Sequence, residues 1–183
     1  CDAEETAIRL RTNDEPITFH DLLQGPQTQR LESESGDFVI LRRDGLIAYQ
    51  LAVVVDDNLE GITDIVRGID IMESTQRQIW LQKLLGYRTP TYAHIPVITH
   101  PDGDKLSKLT GAPGIPLDEV RPTLLAALAA LRQEPPEDLA SSRTDEIWRW
   151  ATEHWKIERL QGLASVQIDQ ISGFCLTETP SMQ

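Results

Sequence analysis

The tetrapeptide Lys105-Leu106-Ser107-Lys108 is where residue type and spacing point most directly to chemistry. Two ammonium groups three residues apart flank a hydroxyl, just after the apolar run 93–99 and the turn signal Pro101-Asp102-Gly103. Cations on a loop behind a strand can meet negative charge as it develops, which suits expulsion of an anionic leaving group. Taken bare, K-x-S-K is a common surface turn, so its weight comes from the residues upstream. Arg67 closes the apolar segment Ile65-Val66-Arg67-Gly68. If buried, it needs an anion, either Asp56 or Asp57 of this chain or the carboxylate of a ligand, which a guanidinium grips through two parallel hydrogen bonds. Tyr49 sits in the apolar run 46–55, where it reads as a core tyrosine or as a phenol presented to a ligand.

These residues need elements to hold them. Alternation of apolar and polar residues predicts strands over 6–11 and 17–21, the second ending in a turn over 22–26, and 30–37 reads as a polar loop. FVILR (38–42) predicts a strand, followed by a hairpin-type turn at Arg43-Asp44-Gly45. The run 46–55 fits a buried strand or a buried helix equally well. A buried strand is expected over 62–67. Ser74 is expected to cap a helix over 75–85, with Ile79, Leu81, Leu84 and Leu85 as its apolar stripe and Gly86 as its stop. The run 93–99 reads as a strand that Pro96 confines to an edge or a bulge. Residues 111–116 read as a connector. Helices are predicted over 121–132, with Pro122 in the first turn, and over 144–152. Trp148 and Trp155 share a face if the second helix continues, and they read as core packing rather than a platform for stacking bases. The tail from Ser165 is weakly patterned.

Composition narrows the function classes. An apolar fraction of 40% in 183 residues allows a packed core. No apolar run approaches the roughly 18 residues of a membrane-spanning helix, and CDAEETAIRLRT lacks the apolar segment of a signal peptide. Cys1 and Cys175 make no metal-type spacing, and His20, His100 and His154 suggest no ligand set, so a reducing, cytoplasmic setting is expected. The net charge of −12 disfavours non-specific attraction to phosphate. Any RNA contact must use local basic groups such as Arg9 with Arg11 or Arg42 with Arg43, which also read simply as solvated surface.

Taken together, DGLIAYQLAVVVDDNLEGITDIVRGIDIMEST (44–75) and HIPVITHPDGDKLSKLTGA (94–112) resemble the second half of the catalytic domain of class I aminoacyl-tRNA synthetases of the glutamyl type. KLSK is similar to that class's KMSKS signature. The resemblance covers about residues 3–160. It implies an α/β fold: the C-terminal half of a Rossmann-type class I synthetase catalytic domain plus a small helical domain. Residues 1–37 would be a remnant of the zinc/acceptor-type insertion domain. Residues 38–104 would be the second half of the Rossmann domain, and 105–183 the KMSKS-type loop with the helical C-terminal domain. It implies that Lys108, assisted by Lys105, stabilises the phosphates of ATP and that Ser107 helps bind ATP. Tyr49 and Arg67 would hold L-glutamate, and His94 would border the nucleotide pocket. ATP acts with Mg2+, which sits mainly on the phosphates, so Asp56 and Asp57 read as structural. The family's zinc has no ligands in this chain.

The non-basic Leu109-Thr110 after KLSK, and the roughly seventy residues that follow, look like the glutamyl-queuosine tRNA(Asp) synthetases, a sub-family without an anticodon-binding domain. Its members activate glutamate without tRNA and place the glutamyl group on queuosine in the anticodon of tRNA(Asp). The alternatives are a trimmed glutamyl-tRNA synthetase charging tRNA(Glu) and a non-catalytic synthetase-like binding module. No HIGH-type motif occurs in the 183 residues. The chain is therefore expected to carry part of a site completed by an N-terminal half, to be inactive alone, and to be a monomer when complete.

Overall fold

The computed structural model describes residues 6–107 and 118–170. The chain divides into two compact units, Cys1–His94 and Ile95–Gln183.

The first unit is built on a four-stranded sheet in the order β3-β2-β6-β5, with β2 at Pro16–Asp21, β3 at Gly25–Arg30, β5 at Asp64–Gly68 and β6 at Thr91–Ile95. Strands β2 and β3 form an antiparallel hairpin in continuous register from Pro16↔Arg30 to Asp21↔Gly25. The turn is shorter than 22–26, because β3 begins at Gly25 and carries Pro26. A proline has no N–H to give a ladder, and β3 lies at the sheet edge where none is required. Strand β6 runs parallel to β2 through Asp21↔Tyr92. A separate antiparallel pair joins β1 (Ile8–Leu10) to β4 (Phe38–Leu41).

Three α-helices among the described residues complete this unit. The polar stretch RLESESGD is not a loop throughout: Leu31–Glu34 forms a single helical turn, α1, whose Leu31 is buried. One leucine among charges leaves no periodic signal, yet it joins Phe38, Val54, Trp80 and Leu81 in the core. The ambiguous run 46–55 resolves into an extended approach at Ala48 and a helix, α2, over Tyr49–Leu59. Helix α3 spans Ser74–Leu85 and ends at Gly86, whose φ of 71° is in the left-handed region. Its buried face differs from the expected leucine stripe. Thr75, Gln76, Gln78, Trp80, Leu81 and Gln82 are buried, while Leu84 and Leu85 are exposed. Gln78 and Gln82 go inside because β5 and β6 present Arg67 and Tyr92, whose polar groups they hydrogen-bond once water is excluded. Ser74 is the first helical residue rather than the cap, and its hydroxyl accepts from Gln50 Nε2 at 2.9 Å. Strand β5 is also more open than a buried strand, with Val66 67% exposed.

In the second unit, β7 (Val97–Thr99) pairs in parallel with β8 (Ser165–Gln167), and Pro96 separates β6 from β7. The weakly patterned tail thus supplies a strand. Val166 and Ile168 pack with Ala126 and Ala130 of helix α4 (Val120–Ala130). Helix α5 spans Thr144–His154, and its Ile147 and Ala151 pack with Leu128 of α4. Trp148 and Trp155 are not core residues, being 56% and 43% exposed; they line an apolar groove of 540 Å³ with Leu124, Leu128 and Leu131. No helix among the described residues is long and apolar enough to cross a membrane.

Candidate functional site

Arg67 is held by three hydrogen bonds. Its Nε donates to His94 Nε2 at 3.0 Å, Nη1 to Gln78 Oε1 at 2.8 Å and Nη2 to Thr75 Oγ1 at 2.6 Å. These three acceptors are neutral. The sequence-based expectation of an anion at a buried arginine is therefore corrected in part. Three oriented dipoles solvate a half-buried guanidinium without cancelling its charge, so the cation remains available to an incoming anion. The guanidinium also lies over the Tyr92 ring, 5.3 Å from its centroid, a cation–π contact that adds attraction without a negative charge.

Behind Arg67 lies a relay that links distant parts of the chain. His94 Nδ1 meets Asp21 Oδ2 at 2.5 Å, and both side chains are fully buried. The other carboxylate oxygen, Asp21 Oδ1, accepts three backbone N–H groups: Leu23 at 3.0 Å, Gln24 at 2.9 Å and His94 at 3.1 Å. Burial pushes the Asp21 carboxyl up, but the hydrogen bonds from His94, Gln24 and Leu23 outweigh it and leave the group below its ordinary value. Burial pushes the His94 imidazole down, and the nearby Arg67 charge adds to this; the Asp21 contact opposes both without reversing them. A neutral His94 with its proton on Nδ1 satisfies both neighbours at once, donating to Asp21 and accepting from Arg67. The Tyr92 ring stacks on His94 at 6.2 Å, and its hydroxyl accepts from Gln82 Nε2 at 3.0 Å.

Tyr49 is joined to this group through its neighbour. Gln78 Nε2 donates to Gln50 Oε1 at 2.9 Å while Gln78 Oε1 holds Arg67, so the first turn of α2 is tied to the arginine. Tyr49 itself is 54% exposed, which removes the core-tyrosine reading. Burial pushes the Tyr92 hydroxyl up, and the hydrogen bond from Gln82 and the Arg67 charge oppose this only in part. Asp57 is raised above its ordinary value by burial, and the Arg67 charge offsets this only in part. It does not form the structural ion pair with Arg67 that spacing alone allowed, because the arginine's hydrogen bonds go to neutral groups. Asp21, Thr75, Gln78 and Gln50 carry no signal in the sequence, because nothing in a linear reading brings Asp21 to His94, 73 positions away.

The lysine loop belongs to the second unit. Its backbone is a tight return on β7: His100 N donates to Asp104 O at 2.8 Å, Lys105 bridges to Thr99, and Leu106 N donates to Ile98 O at 2.8 Å. Gly103, with φ at 95°, makes the turn in a region that an L side chain rarely adopts. Leu106 packs against the Ala126 and Val166 cluster, which fixes the root of the loop. Lys105 is exposed and Ser107 half-buried. Lys108 lies outside the described residues. Among the described residues, no group of three or more His, Cys, Asp or Glu side chains is gathered to hold a metal.

Comparison with known proteins adds a family to this geometry. The model of the tRNA synthetases class I (E and Q), catalytic domain, matches residues 2–121. The Glutamyl-Q tRNA(Asp) synthetase of Pseudomonas fluorescens is 49% identical over 169 residues, which are 92% of this chain and 57% of that protein. The protein of the same name from Pseudomonas aeruginosa strain PAO1 is 47% identical over 168 residues, again 92% and 57%. The chain thus spans 57% of the length of these curated relatives. Among solved structures, the glutamate-tRNA synthetase of Elizabethkingia anophelis superposes with a TM-score of 0.66 at 21% identity, covering 90% of this chain and 37% of that one. At that identity the likeness establishes the fold, an α/β class I catalytic architecture.

Proposed function

Because the chain belongs to the tRNA synthetases class I (E and Q), we propose that the protein carrying it activates L-glutamate with ATP and transfers the glutamyl group to queuosine in the anticodon of tRNA(Asp). The observation that carries this reading is the 49% identity, across 92% of the chain, to a protein named Glutamyl-Q tRNA(Asp) synthetase. The geometry of Arg67 supports the amino-acid half of it. A guanidinium solvated by neutral acceptors has charge left for the side-chain carboxylate of glutamate, and it would disfavour glutamine, whose amide is neutral. Tyr49, exposed and tied to Arg67 through Gln50 and Gln78, would face the same substrate.

In the first half-reaction an oxygen of the glutamate α-carboxylate would attack the α-phosphorus of ATP, forming glutamyl adenylate as the bond to the bridging oxygen breaks and pyrophosphate leaves; Mg2+ would supply positive charge to the phosphates. Lys108 would neutralise charge on the leaving group, with Lys105 assisting and Ser107 contributing to ATP binding. For Lys108→Ala the expected result is a fall in kcat of glutamate-dependent pyrophosphate exchange by about 10²-fold, the scale for losing one donor aimed at developing charge. The KM for glutamate should stay within about twofold, since a transition-state contact moves kcat rather than ground-state binding. An unchanged kcat would remove Lys108 from the reaction.

The reading as a whole is tested on the full-length protein with labelled glutamate, ATP and two purified acceptors. Exchange without tRNA, followed by transfer to queuosine-containing tRNA(Asp) and not to tRNA(Glu), is the expected result. Charging of tRNA(Glu) would instead make the protein an ordinary glutamyl-tRNA synthetase, and absence of exchange would make it a binding module.

A further inference from the structure

We propose that Asp21 and His94 are positioning residues that set glutamate affinity by presenting one imidazole tautomer to Arg67. The inference rests on the assignment of Arg67 to the glutamate carboxylate and extends it to two buried residues that would not touch the substrate.

The geometry allows one arrangement. Arg67 Nε–H always donates, so His94 Nε2, 3.0 Å away, must carry a lone pair. A neutral imidazole with a bare Nε2 has its proton on Nδ1, and Nδ1 faces Asp21 Oδ2. Asp21 Oδ2 in turn must be an acceptor. Around the imidazole stand Asp21 from the end of β2, Arg67 from β5, Thr75 Oγ1 from α3 at 3.2 Å, the Tyr92 ring stacked from β6 and the Phe19 ring tilted from β2, with Asp70 acting through its charge. Of these, Asp21 is the acceptor that faces Nδ1.

Replacement of Asp21 by asparagine is unusually informative here. Three backbone N–H groups converge on Oδ1, so the amide oxygen must take that place. The amide nitrogen is then left facing His94 Nδ1 as a donor. His94 would have to accept at Nδ1 and carry its proton on Nε2, pointing at the Arg67 Nε–H. Two donors facing each other break the contact that aims the guanidinium. The volume of the site is unchanged, so the effect is one of proton placement. Protonation of His94 does the same thing by another route, since imidazolium is a donor at both nitrogens.

The test uses the full-length protein and three readouts. For the wild type, ¹⁵N NMR of His94 should show a protonated Nδ1 and a bare Nε2 at neutral pH. Asp21→Asn should raise the KM for glutamate at least about tenfold, on the scale of misplacing a positioning group, while the KM for ATP stays within about twofold. His94→Gln, which keeps an acceptor oxygen and cannot protonate, should raise the KM for glutamate less than His94→Leu does. It should also abolish the rise in that KM seen when the wild type is acidified below the ordinary imidazole range. An Nε2-protonated His94 in the wild type overturns the proposal, as do equal effects on both substrates or indistinguishable Gln and Leu variants. The tautomer measurement stands even if Asp21→Asn fails to fold. Wild-type protein that shows no glutamate-dependent exchange sinks the functional reading instead, a result separable from all of these.

Discussion

Arg67→Ala is expected to raise the KM for glutamate by about 10²- to 10³-fold, leaving the KM for ATP within about twofold. Two charge-assisted hydrogen bonds to a carboxylate contribute roughly 3–4 kcal/mol together, and about 1.4 kcal/mol corresponds to a factor of ten. On the proposed assignment the loss falls on glutamate, because Arg67 would contact its side chain, remote from the phosphates. Arg67→Lys is not expected to rescue. A single ammonium cannot match the fork that reaches His94 Nε2, Gln78 Oε1 and Thr75 Oγ1 and still present two donors to a substrate. Steady-state pyrophosphate exchange with glutamate and ATP varied separately gives both constants. Unchanged values for both would remove Arg67 from the site.

Asp21→Ala is the other large effect, and it falls on stability. Removing the carboxylate strands the Nδ1–H of His94 and the N–H groups of Leu23, Gln24 and His94, all of which it accepts. Each buried donor left without an acceptor costs about 1–3 kcal/mol, so the four together take away a large part of the roughly 5–15 kcal/mol that holds a domain together. A urea midpoint lowered by less than about 0.5 kcal/mol equivalent would show that water replaces the carboxylate.

The same pair makes stability fall with acid in two stages. His94 is depressed in the fold, so below its ordinary value near 6.5 the unfolded chain binds the proton first, and stability drops as pH falls from there towards the folded value. Asp21 is also depressed, so its contribution is complete above the ordinary carboxylate value and disappears as pH falls through its lower folded one. Urea titrations across the acid range should show both stages in the wild type. In a His94→Gln variant the first should be missing.

What could be read from the residues, and what could not, divides along a physical line. Local chemistry was legible. Gly86 stops α3 because only glycine adopts that φ cheaply, the Pro101-Asp102-Gly103 turn precedes the lysine loop, and α5 begins at Thr144. Leu31, β8 and the glutamine face of α3 were not legible, because their burial depends on partners far along the chain. Apolar periodicity places Leu84 and Leu85 inside, but the interior beside them is polar and takes Gln78 and Gln82 instead. Spacing likewise put Trp148 and Trp155 in the core, whereas α5 ends at His154 and leaves both on a groove.

Residue types alone give a cation at position 67, a phenol at 49, ammonium groups at 105 and 108, and a pattern similar to the class I glutamyl-type synthetases. Each of these follows from side-chain chemistry and short-range order. What surrounds the cation is a matter of packing. Asp21, Arg67, Thr75, Gln78 and His94 meet because β2, β5, β6 and α3 pack together, and no two of those elements are joined by a signal in the chain. A guanidinium's free charge depends on whether its neighbours are carboxylates or neutral acceptors, and that depends on packing. The arginine was visible in the sequence; the neutral cradle that leaves its charge unspent was not.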